Sequence, residues 1–387
     1  MSLAERLAGL DEIGVGDHGV QRLAWTPEAA ACQEWFERQA VGCGLVPVVD
    51  PAGNLWACPQ TDPPWPAVGS HLDSVRGGGR FDGPLGVASG FEIAAQSDRS
   101  VAVISFADEE GARFNTPTFG SKALGGLLDL PSVLERQDVD GVSLGEAMRA
   151  FGVDPGGLGD APSWLGKLSQ LVEIHIDQST DLARAGVPVG LVSALASRLR
   201  LEVEVRGRAD HAGTTPPQER RDALLAAARL IVGADRIADE LGQLTVTTSR
   251  ILTEPNAATT IASRVRLWID ARSEEPGHID AWLRRIREVA SEQSEAVEAS
   301  VASRSAGTSF SPALRKELAG MGAEVTGQPL PEVVCFAGHD AGVIADQVPA
   351  AMLLVRNPSG VSHSPDEQVE LDDAEVAVRI VCEALDR

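Results

Sequence analysis

The chain has 387 residues, 43% hydrophobic and 23% charged. That is enough apolar material for more than one folded core and too much for a disordered chain. Asp and Glu number 56 against 33 Lys and Arg, a formal charge of −23, so the surface repels nucleic acid and anionic lipid and neither is expected as a partner.

Taken in chain order, the first helix is predicted over Thr26–Gly42, with Thr26 as cap, Pro27 in the first turn, and Cys32, Trp35 and Phe36 at helical spacing. LVPVVD and GNLWAC read as a hairpin around Pro51–Asn54. The Gly/Pro-rich stretch Thr61–Pro66 reads as a surface loop, Leu85–Ala95 as a helix, and Val101–Ala107 as a buried strand from its continuous apolar run. Pro155–Gly159 is again predicted as a loop. Strands alternating with helices predict an α/β domain with a mainly parallel sheet.

Near Pro188 the texture changes. Leu199–Gly207 alternates strictly, Arg221–Leu241 is helical, LTVTTSRIL and RVRLWIDAR alternate, and Ile279–Ser294 is an amphipathic helix. This β-α-β-β-α order predicts a small α+β domain inserted into the larger one. The boundaries expected are 1–187 with 308–387 for the α/β domain and 188–307 for the insertion, because buried-strand texture returns at Ala350–Asn357. No run of about 18 apolar residues predicts a membrane span. The first residues lack a basic and then apolar leader, and the five cysteines are scattered without a CxxC, so a reducing cytoplasm is the expected location.

The chemistry-bearing residues cluster after buried strands, where α/β sheets build sites. His71 and Asp73 lie two apart at a strand end, and Asp82 follows in a glycine-rich turn. Glu109 and Glu110 are adjacent at the mouth of Val101–Ala107, where their mutual repulsion calls for a positive partner. His175, His339 and His363 also fall at or beyond strands. Imidazole with carboxylate and no cysteine suits Zn²⁺, Mn²⁺, Ni²⁺ or Co²⁺.

The segments GSHLDS, DGPLG, DEEGARF, EIHIDQS, ADHAGTTP and GVSHSPDE carry a family resemblance over nearly the whole chain. The sequence resembles the M20 metallopeptidase clan, and within it the amidohydrolase branch of N-carbamoyl-L-amino-acid hydrolases, β-ureidopropionases and allantoate amidohydrolases. The resemblance implies two divalent metal ions per subunit, with His71 and His175 on one, Glu110 and His363 on the other, and Asp82 bridging. It implies Asp73 behind His71, accepting its other ring N–H, and Glu109 as general base. His211, in the segment ADHAGTTP, is implied as the oxyanion donor, acting across a homodimer built through the inserted lid domain. Gln178 and Arg272 match positions that grip a substrate carboxylate, and Gly338 and His339 match a segment that lines the site.

Two departures from the family pattern stand out. Ser179 replaces a glycine, and Thr259 stands where the family has a substrate-binding asparagine, with Asn256 three residues earlier at a different family position. A threonine offers one hydroxyl in place of an amide, which points to a divergent substrate. The expected activity is hydrolysis of an N-carbamoyl amino acid or an allantoate-like ureido acid. An aminopeptidase or dipeptidase of the same clan is the alternative.

Overall fold

A computed structural model describes residues 1–293 and 295–387, so the last residue of the helix expected over Ile279–Ser294 lies outside the described residues. The chain divides into two compact units: Met1–Ser193 with Ser309–Val333 and Ala337–Arg387, and Ala194–Thr308 with Val334–Phe336.

In the first unit four neighbouring strands run parallel, in the order Ala350–Val355, Leu168–Ile176, Trp65–His71 and Ala102–Phe106. The hairpin of Val46–Val49 and Leu55–Cys58 extends one side antiparallel, and Val189–Leu195 extends the other. The central strands are almost wholly buried because both faces are covered. Val68, Val103, Ile174 and Leu353 pack in one core with Leu85 and Phe91 of the helix Pro84–Gln96 and with Val378 and Val381 of the helix Leu371–Leu385.

The expected first helix forms over Pro27–Gly42, its Thr26 hydroxyl accepting the Ala29 N–H. Two expected loops are different. Trp65 and Pro66 open the strand Trp65–His71, where Pro66, with no N–H to give, sits at a register shift near the strand's start. Pro155–Gly159 begins a run of 3₁₀ turns reaching Lys167.

The second unit is an antiparallel sheet in the order Leu244–Glu254, Arg264–Ser273, Ser197–Arg206 and Ala296–Ser305, with helices Ala223–Leu241 and Pro276–Ser291. The first helix starts after Arg221 because the Asp222 carboxylate caps it, accepting from Leu224 and Leu225. Leu199, Leu201, Val203 and Val205 form one core with Leu230 and Trp282 of the helices. The alternate residues Arg198, Arg200, Glu202 and Glu204 are on the opposite, half-buried face. The strand Ala296–Ser305 closes the β-α-β-β-α order. Only Val297 and Ala299 of this strand pack against the core, and most of its other residues are exposed, so its hydrophobic alternation is short and weak.

Candidate metal centre and active site

Because the central strands are parallel, their carboxyl ends open on one side. His71 ends Trp65–His71, His175 is the penultimate residue of Leu168–Ile176, and Asp108-Glu109-Glu110 follow Ala102–Phe106. Asp82 lies in the turn before the helix Pro84–Gln96. The next residue, Gly83, has φ +87°, and a Cβ there would fall 2.5 Å from the His71 ring, so only glycine lets the turn pass this close.

The Asp82 carboxylate faces two groups of ligand atoms. Its Oδ1 is 3.5 Å from His71 Nε2 and 3.2 Å from His175 Nε2, while Oδ2 is 3.5 Å from His363 Nε2. His363 Nε2 is in turn 3.5 Å from Glu110 Oε1. His71–Asp82–His175 and Asp82–Glu110–His363 thus each have their ligand atoms within 4.8 Å of one another. His71, Asp82 and His175 are buried, Glu110 is part-buried, and His363 is exposed.

The ring orientations are fixed from behind. His71 Nδ1 is 3.1 Å from the Asp73 main-chain carbonyl, and His175 Nδ1 is 2.9 Å from that of Ile176. A carbonyl only accepts, so both Nδ1 atoms carry their hydrogens, and each neutral ring turns its lone pair toward Asp82. Both Nε2 atoms are buried without a hydrogen-bond partner. A lone pair facing a carboxylate in a buried site requires a cation or a proton between them. The donor set therefore fits a divalent metal. In the metal-free protein, burial lowers the His71 and His175 pKa, but Asp73 and Asp82 at His71, and Asp82 at His175, outweigh it and raise both. Burial likewise works against the Asp82 charge, and the two histidines overcome it, holding Asp82 well below the usual range.

Asp73 was expected to take the His71 N–H on its side chain. The main-chain carbonyl is the nearer acceptor, and the carboxylate, 3.6 Å from Nδ1, instead accepts the main-chain N–H groups of Glu109 and Glu110, each at 3.1 Å. The two glutamates thereby present their side chains separately. Glu110 Oε1 faces His363, and Glu109 Oε2 is 3.9 Å from His71 Nε2. Burial pushes Glu109 well above the ordinary range, and burial followed by the Asp82 charge pushes Glu110 up to about 8.

Gln178 donates to Asp82 Oδ2 at 2.9 Å, so its amide contacts the bridging position. His339 is 2% exposed, its ring centroid 4.3 Å from that of His175, and both its nitrogens are buried without partners. Burial, then His175, holds it well below the ordinary histidine range, so it stays neutral. Gly338, just before it, has open space at its Cβ position.

The remaining candidates belong to the inserted unit. His211 Nδ1 accepts the N–H groups of Gly213 and Thr214 at 3.0 and 3.2 Å, which leaves the ring hydrogen on Nε2, available to donate. Thr259 is brought to the same turn by its carbonyl, which accepts the Ala212 N–H at 3.0 Å, whereas Asn256 is exposed. Arg272 donates through Nε to Asp270 at 2.6 Å and through Nη1 to the Phe336 carbonyl.

Three supporting residues escaped the sequence reading. Ser362 donates its hydroxyl to Asp82 Oδ2 at 2.9 Å. Glu367 accepts the N–H groups of Phe81 and Asp82 at 2.7 and 3.0 Å, tying the Asp82 turn to the His363 segment. Glu173, fully buried, accepts from the Ser70 hydroxyl and the Ala341 N–H. Glu173 is signalled as a lone acid inside the apolar run LVEIHI, and Ser362 and Glu367 by their place in the segment GVSHSPDE around His363.

The model of peptidase family M20/M25/M40 matches residues 60–387. The chain is 34% identical to an N-carbamoyl-L-amino acid amidohydrolase of Geobacillus stearothermophilus, covering 98% of this chain and 96% of the relative. It is 31% identical to an allantoate amidohydrolase of Bacillus subtilis, covering 99% and 96%. Among solved structures, an amidase of the hydantoinase/carbamoylase family from Burkholderia multivorans superposes with a TM-score of 0.85 at 29% identity, covering 99% of this chain and 96% of that one.

Proposed function

Because the chain belongs to peptidase family M20/M25/M40, in its hydantoinase/carbamoylase branch, and is thereby a hydrolase of linear carbon–nitrogen bonds, we propose that it hydrolyses the carbamoyl or ureido C–N bond of a small carboxylate-bearing substrate, an N-carbamoyl amino acid or an allantoate-like acid. The observation that carries this is Asp82, with one oxygen turned to His71 and His175 and the other to His363, beside a buried carboxylate, Glu109, that is left over from the ligand sets.

His71, Asp82 and His175 would hold one divalent ion, and Asp82, Glu110 and His363 a second. Bound there, such ions polarise a carbonyl and lower the proton affinity of water. Glu109 Oε takes the proton from the attacking water and delivers it to the leaving nitrogen as the C–N bond breaks. For a carbamoyl group the products are the free amine, ammonia and carbon dioxide. His211 Nε2–H is the donor for the oxyanion, its Nδ1 being engaged by two main-chain N–H groups. The resemblance supports Gln178, His339 and Gly338 as the substrate-contacting candidates of the first unit, and Arg272, Thr259 and Asn256 as those of the inserted one. The resemblance supports a homodimer through the inserted unit. No helix among the described residues is long and apolar enough to cross a membrane.

The test is a panel of N-carbamoyl, ureido, N-formyl, N-acyl and dipeptide substrates, assayed with Mn²⁺, Zn²⁺, Ni²⁺ and Co²⁺. Turnover of carbamoyl or ureido acids with ammonia release is expected. Turnover of dipeptides alone would overturn the reading.

A further inference from the structure

The half-buried face of the inserted sheet carries an unmatched positive charge. Register places Arg272 directly opposite Arg198, and Asp270 opposite Arg200. Their neighbours Leu199, Leu201, Ile269 and Ala271 point the other way, into the core under the helices, so the four charged residues share one face. Asp270 accepts from Arg272 Nε at 2.6 Å and from Arg200 Nε at 3.0 Å. These two arginines overcome the effect of burial and hold Asp270 below the ordinary carboxylate range, so it is ionised. Of the three guanidinium groups gathered here, that one carboxylate bonds two, Arg200 and Arg272.

Arg198 is the one left out. It is half-buried, its Nε is withdrawn from water without a hydrogen-bond partner, and among the described residues no carboxylate forms an ion pair with it, Asp270 acting on it only from a distance. Its cross-strand neighbour on the far side is Ser305, and the neighbour of Arg272 on its far side is Thr245, so neither strand supplies an acid. Further along the same face acids are at hand: Glu204 pairs with both Arg206 and Arg264, and Glu202 with Arg266. Burial, then the proximity of Arg200 and Arg272, holds Arg198 below the ordinary arginine range. An unanswered guanidinium in a chain of net charge −23 is a cost that an incoming anion would remove.

Arg272 also needs help to bind one. Its Nε and one Nη1 hydrogen are already taken by Asp270 and the Phe336 carbonyl. The side-on fork that grips a carboxylate through Nε and Nη2 is thus closed, leaving chiefly Nη2.

We infer that Arg198 and Arg272 form a paired-guanidinium anion site on the open face of the inserted sheet, and that it takes the substrate carboxylate. This rests on the proposed reading that the substrate is a carboxylate and that Arg272 contacts it. It adds that Arg198, outside every recognised motif of the sequence, sets the preference for acids.

The experiment compares Arg198→Met, Arg198→Gln and Arg272→Lys, as full-length metal-loaded enzyme, on an N-carbamoyl amino acid and on its carboxamide. Both Arg198 variants should lose roughly 10–150-fold in kcat/KM on the acid and change the carboxamide by no more than about twofold. Thermal unfolding gives a readout independent of turnover. Inorganic sulfate should raise the wild-type Tm above a chloride control of equal ionic strength, and that difference should vanish in Arg198→Met, whose ligand-free Tm should be no lower than wild type. Loss of acid preference in Arg272→Lys but not in the Arg198 variants would overturn the inference and leave the carboxylate reading standing. Acid preference unchanged in all three variants would overturn both. An equal loss on acid and carboxamide with the sulfate shift retained would reduce Arg198 to a structural role and overturn the inference. If the wild type turns over neither compound, the sulfate comparison decides alone.

Discussion

The carboxylate of Asp73 accepts the main-chain N–H of Glu109 at 3.1 Å, and its other oxygen takes that of Glu110 at the same distance. One side chain thus fixes the backbone from which two glutamates diverge to different tasks. In Asp73→Asn one of these acceptors becomes an NH₂ facing an N–H, leaving a buried donor unsatisfied at a cost of about 1–3 kcal/mol. Reduced metal content by elemental analysis and a lowered kcat are expected together. Metal content and kcat both at wild-type levels would show that the Glu109–Glu110 segment holds its shape without Asp73.

The division of labour between the glutamates is separable. Glu109→Gln should keep its metal and lose most turnover, because only the proton carrier is removed. Glu110→Gln should lose metal first, since its Oε1 faces His363 across 3.5 Å. The reverse pattern of metal content would exchange the two roles.

Metal uptake should expel protons. In the metal-free protein, burial and then the Asp82 charge push Glu110 up to about 8, so near pH 7 its carboxyl keeps its proton, and a ligand must give it up. His71 and His175, both raised, act in the same direction. Apparent affinity should therefore fall as pH drops below about 8. Calorimetric titration of apoprotein with Zn²⁺ or Mn²⁺ at pH 7, in buffers of different ionisation enthalpy, should give heats that depend on the buffer. Identical heats in all buffers would mean the ligands are already deprotonated.

His211 can donate from Nε2 because Nδ1 is engaged by two main-chain N–H groups. His211→Ala should lower kcat on acid and carboxamide alike, since an oxyanion donor acts mainly in the transition state. Light scattering at micromolar protein should show a dimer. Mixing Glu109→Gln with His211→Ala subunits should restore part of the activity if each His211 serves its partner's centre. No recovery in a verified mixed dimer would confine His211 to its own chain or remove it from the chemistry.

What was legible in the sequence follows from locality. Thr26 capping Pro27–Gly42, the hairpin around Pro51–Asn54 and the alternation of Leu199–Gly207 are decided by neighbours within a few residues, and those elements form. The strand ends and the glycine-rich turn pointed to a pool that also held Asp73, Glu109 and His339; the resemblance to the family picked His71, Asp82, His175, Glu110 and His363 out of it, and the structure brings those five together. What stayed hidden was partnership across long stretches of chain. Nothing near Glu367 announces that it holds the N–H groups of Phe81 and Asp82. Nothing near Asp73 tells whether its carbonyl or its carboxylate meets the His71 ring. Ala296–Ser305 has no counterpart among the expected strands because, as an edge strand, it packs only Val297 and Ala299 against the core and its apolar signal is small.

The strand Ala350–Val355 lies in the sheet between two strands made far earlier in the chain, Leu168–Ile176 beside it in parallel and Val189–Leu195 antiparallel. During translation, therefore, a nascent chain carries an open edge at Leu168–Ile176 through synthesis of the whole inserted unit, and His363 is made later still than the strand that covers that edge. A premature stop codon anywhere between Arg206 and Ala350 would yield a product with a bare hydrophobic strand and an unfinished set of ligands, a substrate for chaperones and proteases.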